Sequence, residues 1–353
     1  AMVASPAASR RSSPPAWSPA SPMTDAAPPL LSVVICTFRR NAPLEALLRA
    51  LAPLCAGRPV EVVVVDNSPE AGALALLATL RAALLPGLVL RHAQPASISV
   101  ARNAGVAASR APWVAFLDDD SELLNDWVGG VLEAIAAGGA EGFFGPVRAR
   151  YEGGAPPPFD PEGRFFSRET GEADGARLFI GGPRRSRRAV MGAANAVLSR
   201  AACLMDPEPF DPAFGRSGGE DLDLFLRAER RGARFLWRTG FPVGEWVPAS
   251  RQGFDYALLR AFTGGQVFVA VTRKNSAAPW RTEARLLALG AAQAALGALR
   301  LALARAEARP ALRLALASAL GKLRWRALTG LYALPAGGGP VSLWRLFLRG
   351  APG

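Results

Sequence analysis

Trp113-Val114-Ala115-Phe116-Leu117-Asp118-Asp119-Asp120 is an apolar run that stops abruptly on three carboxylates. It reads as a strand buried on both faces, whose last residues emerge at the carboxyl edge of a parallel sheet. Ligands of open α/β sheets bind at that edge. Side chains alternate along a strand, so Asp118 and Asp120 are expected to share one direction and Asp119 to take the other. Two carboxylates on one side, beside a phosphate-bearing ligand, suit a hard divalent cation such as Mg²⁺ or Mn²⁺. The same acids also fit a solvated turn in which Ser121 or Asp120 caps the next helix.

Upstream, the pattern repeats. Leu31-Ser32-Val33-Val34-Ile35-Cys36 is a short β-branched run, followed by Thr37-Phe38-Arg39-Arg40 and a helix with Pro43 near its first turn. Glu61-Val62-Val63-Val64-Val65 ends in Asp66-Asn67-Ser68-Pro69. A helix is expected over residues 70–84, a strand over 88–91, and a helix from Ser97 that carries Ala101-Arg102-Asn103. Beyond the acidic strand a further helix is expected over 123–136. Four alternations of strand and helix predict a parallel sheet with helices on both faces. No G-x-G-x-x-G or G-x-x-x-x-G-K-[ST] follows any strand, which argues against a dinucleotide fold and a P-loop.

Downstream, Phe143-Phe144-Gly145-Pro146-Val147 reads as another strand, and residues 151–188 as a long loop rich in Gly, Pro and charge. Residues 191–198, around Asn195, return to a core strand. Then Ser217-Gly218-Gly219-Glu220-Asp221 opens a helix that runs to Arg231 and stops at Gly232. Acids in a first turn complement the helix macrodipole. The two glycines additionally imply a close approach of that helix start to something else.

Half of the 353 residues are apolar, enough for one large core with an appendage. Three cysteines (Cys36, Cys55, Cys203) with no metal-ligand spacing point to free thiols in a reducing compartment. The single histidine, His92, excludes a His-rich zinc site and a Ser-His-Asp triad within this chain, and reads as a strand-end residue. The net charge is +12, but from Arg273 onward thirteen Arg or Lys face only Glu283 and Glu307, leaving the rest nearly neutral. A basic tail on a neutral body fits a local anionic surface.

Three regions are therefore expected: a Pro/Ala/Ser-rich disordered tail over 1–29, an α/β domain over 30–272, and a basic helical region over 273–353. The first resembles no signal peptide, since Arg10 and Arg11 are followed by no apolar core. In the last, Pro310 divides two helical segments. The fourteen residues between Arg285 and Arg300, apolar apart from Gln293, fall short of the ~20 of a spanning helix. With Trp325 and Trp344 nearby, a surface-lying membrane anchor is expected, the alternative being a helix pair that caps the fold.

Taken in order, Val34-Ile35-Cys36-Thr37-Phe38-Arg39-Arg40, Val64-Val65-Asp66-Asn67, Ala101-Arg102-Asn103, Phe116-Leu117-Asp118-Asp119-Asp120 and Gly219-Glu220-Asp221 resemble the inverting family 2 glycosyltransferases. The resemblance covers about residues 32–240. More narrowly, residues 97–103, Gly145-Pro146-Val147-Arg148-Ala149 and residues 217–221 look like the glucosyltransferases of succinoglycan-type exopolysaccharide assembly. The resemblance implies the GT-A fold, a Rossmann-like open sheet, and transfer of a hexose, glucose in that subgroup, from a UDP-sugar to a lipid-linked oligosaccharide at the inner face of the cell membrane. It implies that Thr37 and Asp66 hold the nucleotide's base and ribose, that Asp118 touches the ribose and stands near the metal, and that Asp120 binds the Mg²⁺ or Mn²⁺. Arg102 and Asn103 would lie beside the donor pocket. Asp221 would be the general base, with Glu220 as the alternative. Family members often carry a histidine near the metal after this helix; Val243-Gly244-Glu245 has none, so Glu245 is a candidate oxygen ligand. The Gln-x-x-Arg-Trp element of processive synthases is absent, which favours single transfer. Two other readings are a sugar nucleotidyltransferase, disfavoured by the lack of a Gly-rich basic loop after the first strand, and a non-catalytic membrane-bound scaffold. No specific nucleic-acid partner is expected, because the basic tail lacks interleaved aromatic and base-reading residues.

Overall fold

The structure is a computed structural model that describes residues 28–182, 185–186, 191–330 and 347. The tail expected over 1–29, apart from its last two residues, lies outside the described residues, as does Trp344. Strands β1 (Leu31–Thr37), β2 (Val60–Asp66), β3 (Val89–His92) and β4 (Trp113–Asp118) pair in parallel in the order β3-β2-β1-β4. They are joined by α1 (Asn41–Cys55), α2 (Leu74–Ala83) and α3 (Ile98–Ala108). The chain steps outward from β1 to β3 and then returns across the sheet to β4. The order thus reverses between β1 and β4, the switch point where open sheets leave a crevice at their carboxyl ends.

Both faces of β1 are buried, which is why it reads as an unbroken apolar run. Leu31, Val33 and Ile35 enter the layer covered by α1, α2 and α4 (Trp127–Ala137). Val34 and Cys36 enter the opposite layer, under α3 and α6 (Glu220–Arg230). On α1 the buried residues Leu44, Leu47, Leu48, Leu51 and Cys55 recur every three or four positions, one face of a helix. On α3 the contact is closer, because Gly105 has no side chain: a Cβ there would stand 2.3 Å from Val34 Cγ1.

Several expected boundaries move. The helix expected over 123–136 begins at Trp127, because residues before it form β5 (Ser121–Leu123) and Asp126 caps the helix by accepting from Gly129 N at 3.0 Å. The strand expected around 143–147 is two strands, β6 (Gly142–Phe144) and β7 (Val147–Tyr151), broken at Gly145-Pro146. The run of successive parallel strands ends at β4. Past the long loop, whose described residues include β8 (Arg177–Leu178) and a single bridge of Arg168 to Val147, the chain enters β9 (Ala196–Ser199) from the carboxyl edge, so β9 runs antiparallel to both β4 and β6. After α5 (Arg200–Cys203) and α6, β10 (Phe235–Trp237) pairs in parallel with β6 and completes an eight-stranded mixed sheet, β3-β2-β1-β4-β9-β6-β10-β8. A small second sheet, β5-β11-β7, is made with β11 (Val243–Val247), which pairs in parallel with β7. This open mixed sheet with helices on both faces is the GT-A architecture. Asn195, buried at φ 60°, is the joint between the two sheets: it accepts from Trp127 Nε1 at 2.8 Å and donates to the carbonyls of Pro146 and Phe241, both at 2.9 Å.

The region past β11 is more helical than its sequence suggested. Residues 254–274, with Gly264-Gly265 at their centre, form α7 (Phe254–Lys274). Then come α8 (Pro279–Leu303) and α9 (Arg309–Leu323), with Pro310 at the start of α9 as expected. Small residues let α7 and α9 approach: a Cβ on Gly265 would stand 2.1 Å from Ser318 O, and one on Gly321 2.0 Å from Phe262 O. The division expected at 272/273 falls within the last turn of α7. Its end is bolted to α6, where the fully buried Asp223 accepts from Lys274 Nζ at 2.8 Å and Asn275 Nδ2 at 2.7 Å. The helix through Arg285–Arg300 also takes in the flanking charged turns, so α8 is long and apolar enough to cross a membrane by length and composition, which the fourteen-residue count did not anticipate. Most of α8 is uncovered: Leu289, Leu296, Leu299 and Leu303 are exposed.

Candidate active site

The carboxyl ends of β1, β2 and β4 lie side by side, with Thr37 opposite Asp66 and Cys36 opposite Asp118. Strand geometry stops at Asp118, so the expected alternation of the three acids does not extend past it. Asp119 and Asp120 instead share one guanidinium: Arg40 Nη1 donates to Asp119 Oδ1 at 2.8 Å and Nη2 to Asp120 Oδ2 at 2.6 Å. Thr37 Oγ1 donates to the other oxygen of Asp119, also at 2.8 Å. Burial pushes the Asp119 carboxyl up to about 7, against the pull of Arg40 and of the Thr37 hydroxyl, while Asp120 and Asp118 add to the rise.

Asp118 faces the cleft, with its side chain 38 % exposed. Burial by the surrounding walls raises its pKa, Arg102 opposes, and the carboxylates of Glu245 and Asp120 raise it further. Such crowding of negative charge favours a cation. The donors on offer, Asp118 and Asp120, are hard oxygens that suit Mg²⁺ or Mn²⁺ with phosphate oxygens and water completing the shell. Among the described residues no group of three or more His, Cys, Asp or Glu side chains is arranged as a protein-only cage. One oxygen of Glu245 is engaged by Arg168, whose Nη2 donates to Oε2 at 2.6 Å. Against the upward push of burial, Arg168 and Arg260 hold the Glu245 carboxyl below its usual range.

The second group of acids comes from the start of α6. Gly219 at φ 102° turns the chain into the helix, and a Cβ there would stand 2.3 Å from Val267 Cγ1. The close approach implied by the two glycines is therefore to α7. Glu220, Asp221 and Asp223 fill the first turn, where the macrodipole favours negative charge. Glu220 is 1 % exposed; its Oε1 accepts from Arg102 Nη1 at 2.5 Å, and its Oε2 is buried with no hydrogen-bond partner. Burial pushes this carboxyl up to about 7, with Asp221 adding and Arg102 opposing. Asp221 is half-buried, and its Oδ1 accepts from Leu222 N at 2.7 Å.

Arg102 joins the two groups. It stands on α3, with Nη1 on Glu220, Nη2 3.9 Å from Asp118, and the guanidinium 5.5 Å from the centroid of the Phe210 ring. The structure thus brings Thr37, Asp118, Asp120, Arg102, Glu220 and Asp221 to one cleft. Two other expected residues turn away from it. Asp66 is fully buried, and its carboxylate accepts from Ser68 N, Ser68 Oγ and Ala73 N at 2.6–2.8 Å, shaping the loop after β2. Asn103 is committed to the Phe210 backbone, donating to its carbonyl at 2.8 Å and accepting from its N–H at 2.9 Å. It fixes the Phe210 segment against α3, an interaction that alanine or a charged residue cannot make. His92 ends β3 and lies 2.8 Å from Ser68 O. The three cysteines are free, and burial pushes the Cys36 thiol at the cleft floor up to about 12, which leaves it protonated and inert.

Sequence reasoning missed two cleft arginines. Arg40 lay in a quoted stretch, and its place just past a strand end was the available signal. Arg168 lay in the aperiodic 151–188 loop and had no signal; it also lines a small recess with Phe144, Met191 and Trp237.

Residues 32–191 match the family described as "Glycosyl transferase family 2". The succinoglycan biosynthesis protein ExoM of Rhizobium meliloti (strain 1021) is 32% identical over 238 residues, covering 67% of this chain and 73% of that protein. Among solved structures, residues 1–349 of S. aureus TarS in complex with UDP-GlcNAc align at a TM-score of 0.49 and 16% identity, over 84% of this chain and 91% of that one. GalNAc-T7 with UDP, GalNAc and Mn²⁺ aligns at a TM-score of 0.44 and 17% identity, over 62% of this chain and 43% of that one.

Proposed function

The chain belongs to glycosyl transferase family 2, and from that premise we propose that it is an inverting hexosyltransferase of exopolysaccharide assembly. The donor is a UDP-sugar, with glucose as the first candidate, and the acceptor is a lipid-linked oligosaccharide at the inner face of the cell membrane. The observation that carries this reading is the convergence of the β4-end and α6-start carboxylates on Arg102. The relationship to a succinoglycan biosynthesis protein supports the choice of pathway class.

In this reading Thr37 and the loop held by Asp66 receive the base and ribose, and Asp118 meets the ribose. Asp120 and Asp118 hold Mg²⁺ or Mn²⁺, which supplies Lewis-acid neutralisation of the diphosphate when bound. Asp221 accepts the proton of the attacking hydroxyl. A sugar hydroxyl is a poor nucleophile, and a carboxylate in reach of it lowers the barrier as the proton leaves. The acceptor oxygen attacks the anomeric carbon from the face opposite the departing diphosphate, so one displacement inverts that centre. Glu220 is buried, with one oxygen on Arg102, while Asp221 is half-buried; this favours Asp221 as the base and leaves Glu220 to position Arg102.

The exposed apolar side of α8, with Arg281 and Arg285 at one end and Arg300 at the other, supports docking on an anionic membrane. The domain division at 272/273 is kept as a functional one: catalysis before it, membrane contact after. No specific observation favours the nucleotidyltransferase or the scaffold. The test is a screen of UDP-, GDP- and dTDP-sugars with membrane lipid extract, read by mass spectrometry. A lipid-linked product heavier by one hexose is expected with a UDP-sugar; the reading fails if no donor yields a glycosylated lipid.

A further inference from the structure

We infer that Arg168 is a catalytic residue that grips the phosphate next to the transferred sugar, held in place for that task by Glu245. This rests on the nucleotide-sugar reading above and assigns a residue to its leaving group.

Arg168 belongs to a loop by sequence but is fixed as firmly as a sheet residue. Its N–H donates to Val147 O at 2.8 Å, and its carbonyl accepts from Val147 N at 3.1 Å. Glu245, on the neighbouring β11, holds Nη2 at 2.6 Å. The rest of the guanidinium is underused: Nε is buried with no acceptor. Native proteins rarely keep a buried N–H unsatisfied, and a catalytic role is one reason such a group is retained. Arg40 is spent on Asp119 and Asp120, and Arg102 reaches Glu220 and Asp118.

The position says which ligand. Arg168 Cδ and Nε lie 4.0 Å, and Asp221 Oδ2 3.3 Å, from the point a Cβ on Gly192 would occupy. Arg168 also feels the charge of both Asp118 and Asp221. It therefore stands between the acids assigned to the diphosphate and the acid assigned to the acceptor hydroxyl. The anomeric carbon must sit near Asp221, and the phosphate bonded to it is the distal phosphate of the nucleoside diphosphate. As the bond from the anomeric carbon to the phosphate oxygen breaks, its electron pair goes to that oxygen. The acceptor oxygen bonds the carbon, and its proton goes to Asp221. Arg168 stays protonated throughout and donates to the oxygen on which charge grows, an interaction stronger in the transition state than before it. A planar guanidinium suits phosphate oxygens, and its charge does not titrate away.

The experiment compares, by calorimetry in EDTA, the affinity of the full chain for UDP, GDP and dTDP and for the monophosphate of whichever binds tightest. Arg168→Gln is expected to cut the preference for diphosphate over monophosphate by about tenfold or more, the scale of a hydrogen bond to a charged group. Monophosphate affinity should stay within about twofold. Arg168→Lys, which keeps the charge and a partner for Glu245, should lose less and guards against loss of fold. Glu245→Gln should fall between wild type and Arg168→Gln. An unchanged preference in Arg168→Gln overturns the assignment, as does a monophosphate affinity that falls in equal measure. If the wild-type chain binds no nucleoside diphosphate in EDTA, the same comparison is made in Mn²⁺; if none binds there either, the nucleotide-sugar reading fails first and this assignment with it.

Discussion

Arg102 and Glu220, 118 positions apart in sequence, form a buried ion pair at 2.5 Å, and that pair turns two separate acidic stretches into one cleft. Its protonation is within physiological reach, because burial holds the Glu220 carboxyl near 7. Below that pH the carboxyl is neutral and its grip on Arg102 weakens; above it the pair is ionic. Transfer is expected to rise with pH through about 7, and Glu220→Gln should flatten that limb. For stability the sign is opposite: an acid whose folded pKa is raised binds its proton more tightly when folded. Stability should thus fall as pH climbs from about 4.5 to about 7 and level off above. Rate profiles and urea titrations between pH 5 and 9 check both; an ascending limb that survives Glu220→Gln assigns it to another group.

Asp120→Asn tests the cation. The amide keeps an oxygen for Arg40 but loses the charge, so the metal concentration giving half-maximal donor binding should rise by roughly tenfold or more, the scale on which even outer-shell partners act. Donor binding titrated against Mn²⁺ measures it, and an unshifted midpoint removes Asp120 from the metal.

Gly219→Ala tests how the base helix is seated. Alanine is strained at φ 102°, and its Cβ would meet Val267 at 2.3 Å. A loss of about 1–3 kcal/mol is expected in urea denaturation, with a lower transfer rate as Asp221 shifts. A stability equal to wild type contradicts the packing of α6 on α7.

The exposed side of α8 predicts lipid binding. Replacing Leu289, Leu296 and Leu299 together by Gln leaves the packed side and the arginines intact, and should release the protein from vesicles containing anionic lipid. Equal sedimentation of the variant and wild type assigns membrane contact elsewhere.

The first half of this fold was readable because β1, β2 and β4 are buried on both faces and α1 has a single apolar stripe, so composition and period agree. The acids at the end of β4 and the start of α6 were readable for the same reason: they sit where apolar pattern stops. What failed depends on contacts distant in sequence. Asp66 and Asn103 look like ligands by residue type, yet in the fold Asp66 accepts from Ser68 and from Ala73 N, and Asn103 pairs with the Phe210 backbone. The antiparallel entry of β9 followed from where a long aperiodic loop delivers the chain. Helix α7 was hidden by Gly264-Gly265, which reads as a helix breaker until α9 is seen packed against it. Arg168 carries no local signal, since its partner Glu245 lies 77 positions away.

In the proposed mechanism an acid from the start of α6 takes the acceptor's proton across the cleft from the donor held by β1, β2 and β4. Single-turnover transfer by Asp221→Asn, with UDP affinity measured in parallel, tests it most directly. The rate should fall by about 10²–10⁴ while UDP affinity stays within about twofold. A variant that transfers sugar as fast as wild type would contradict the account.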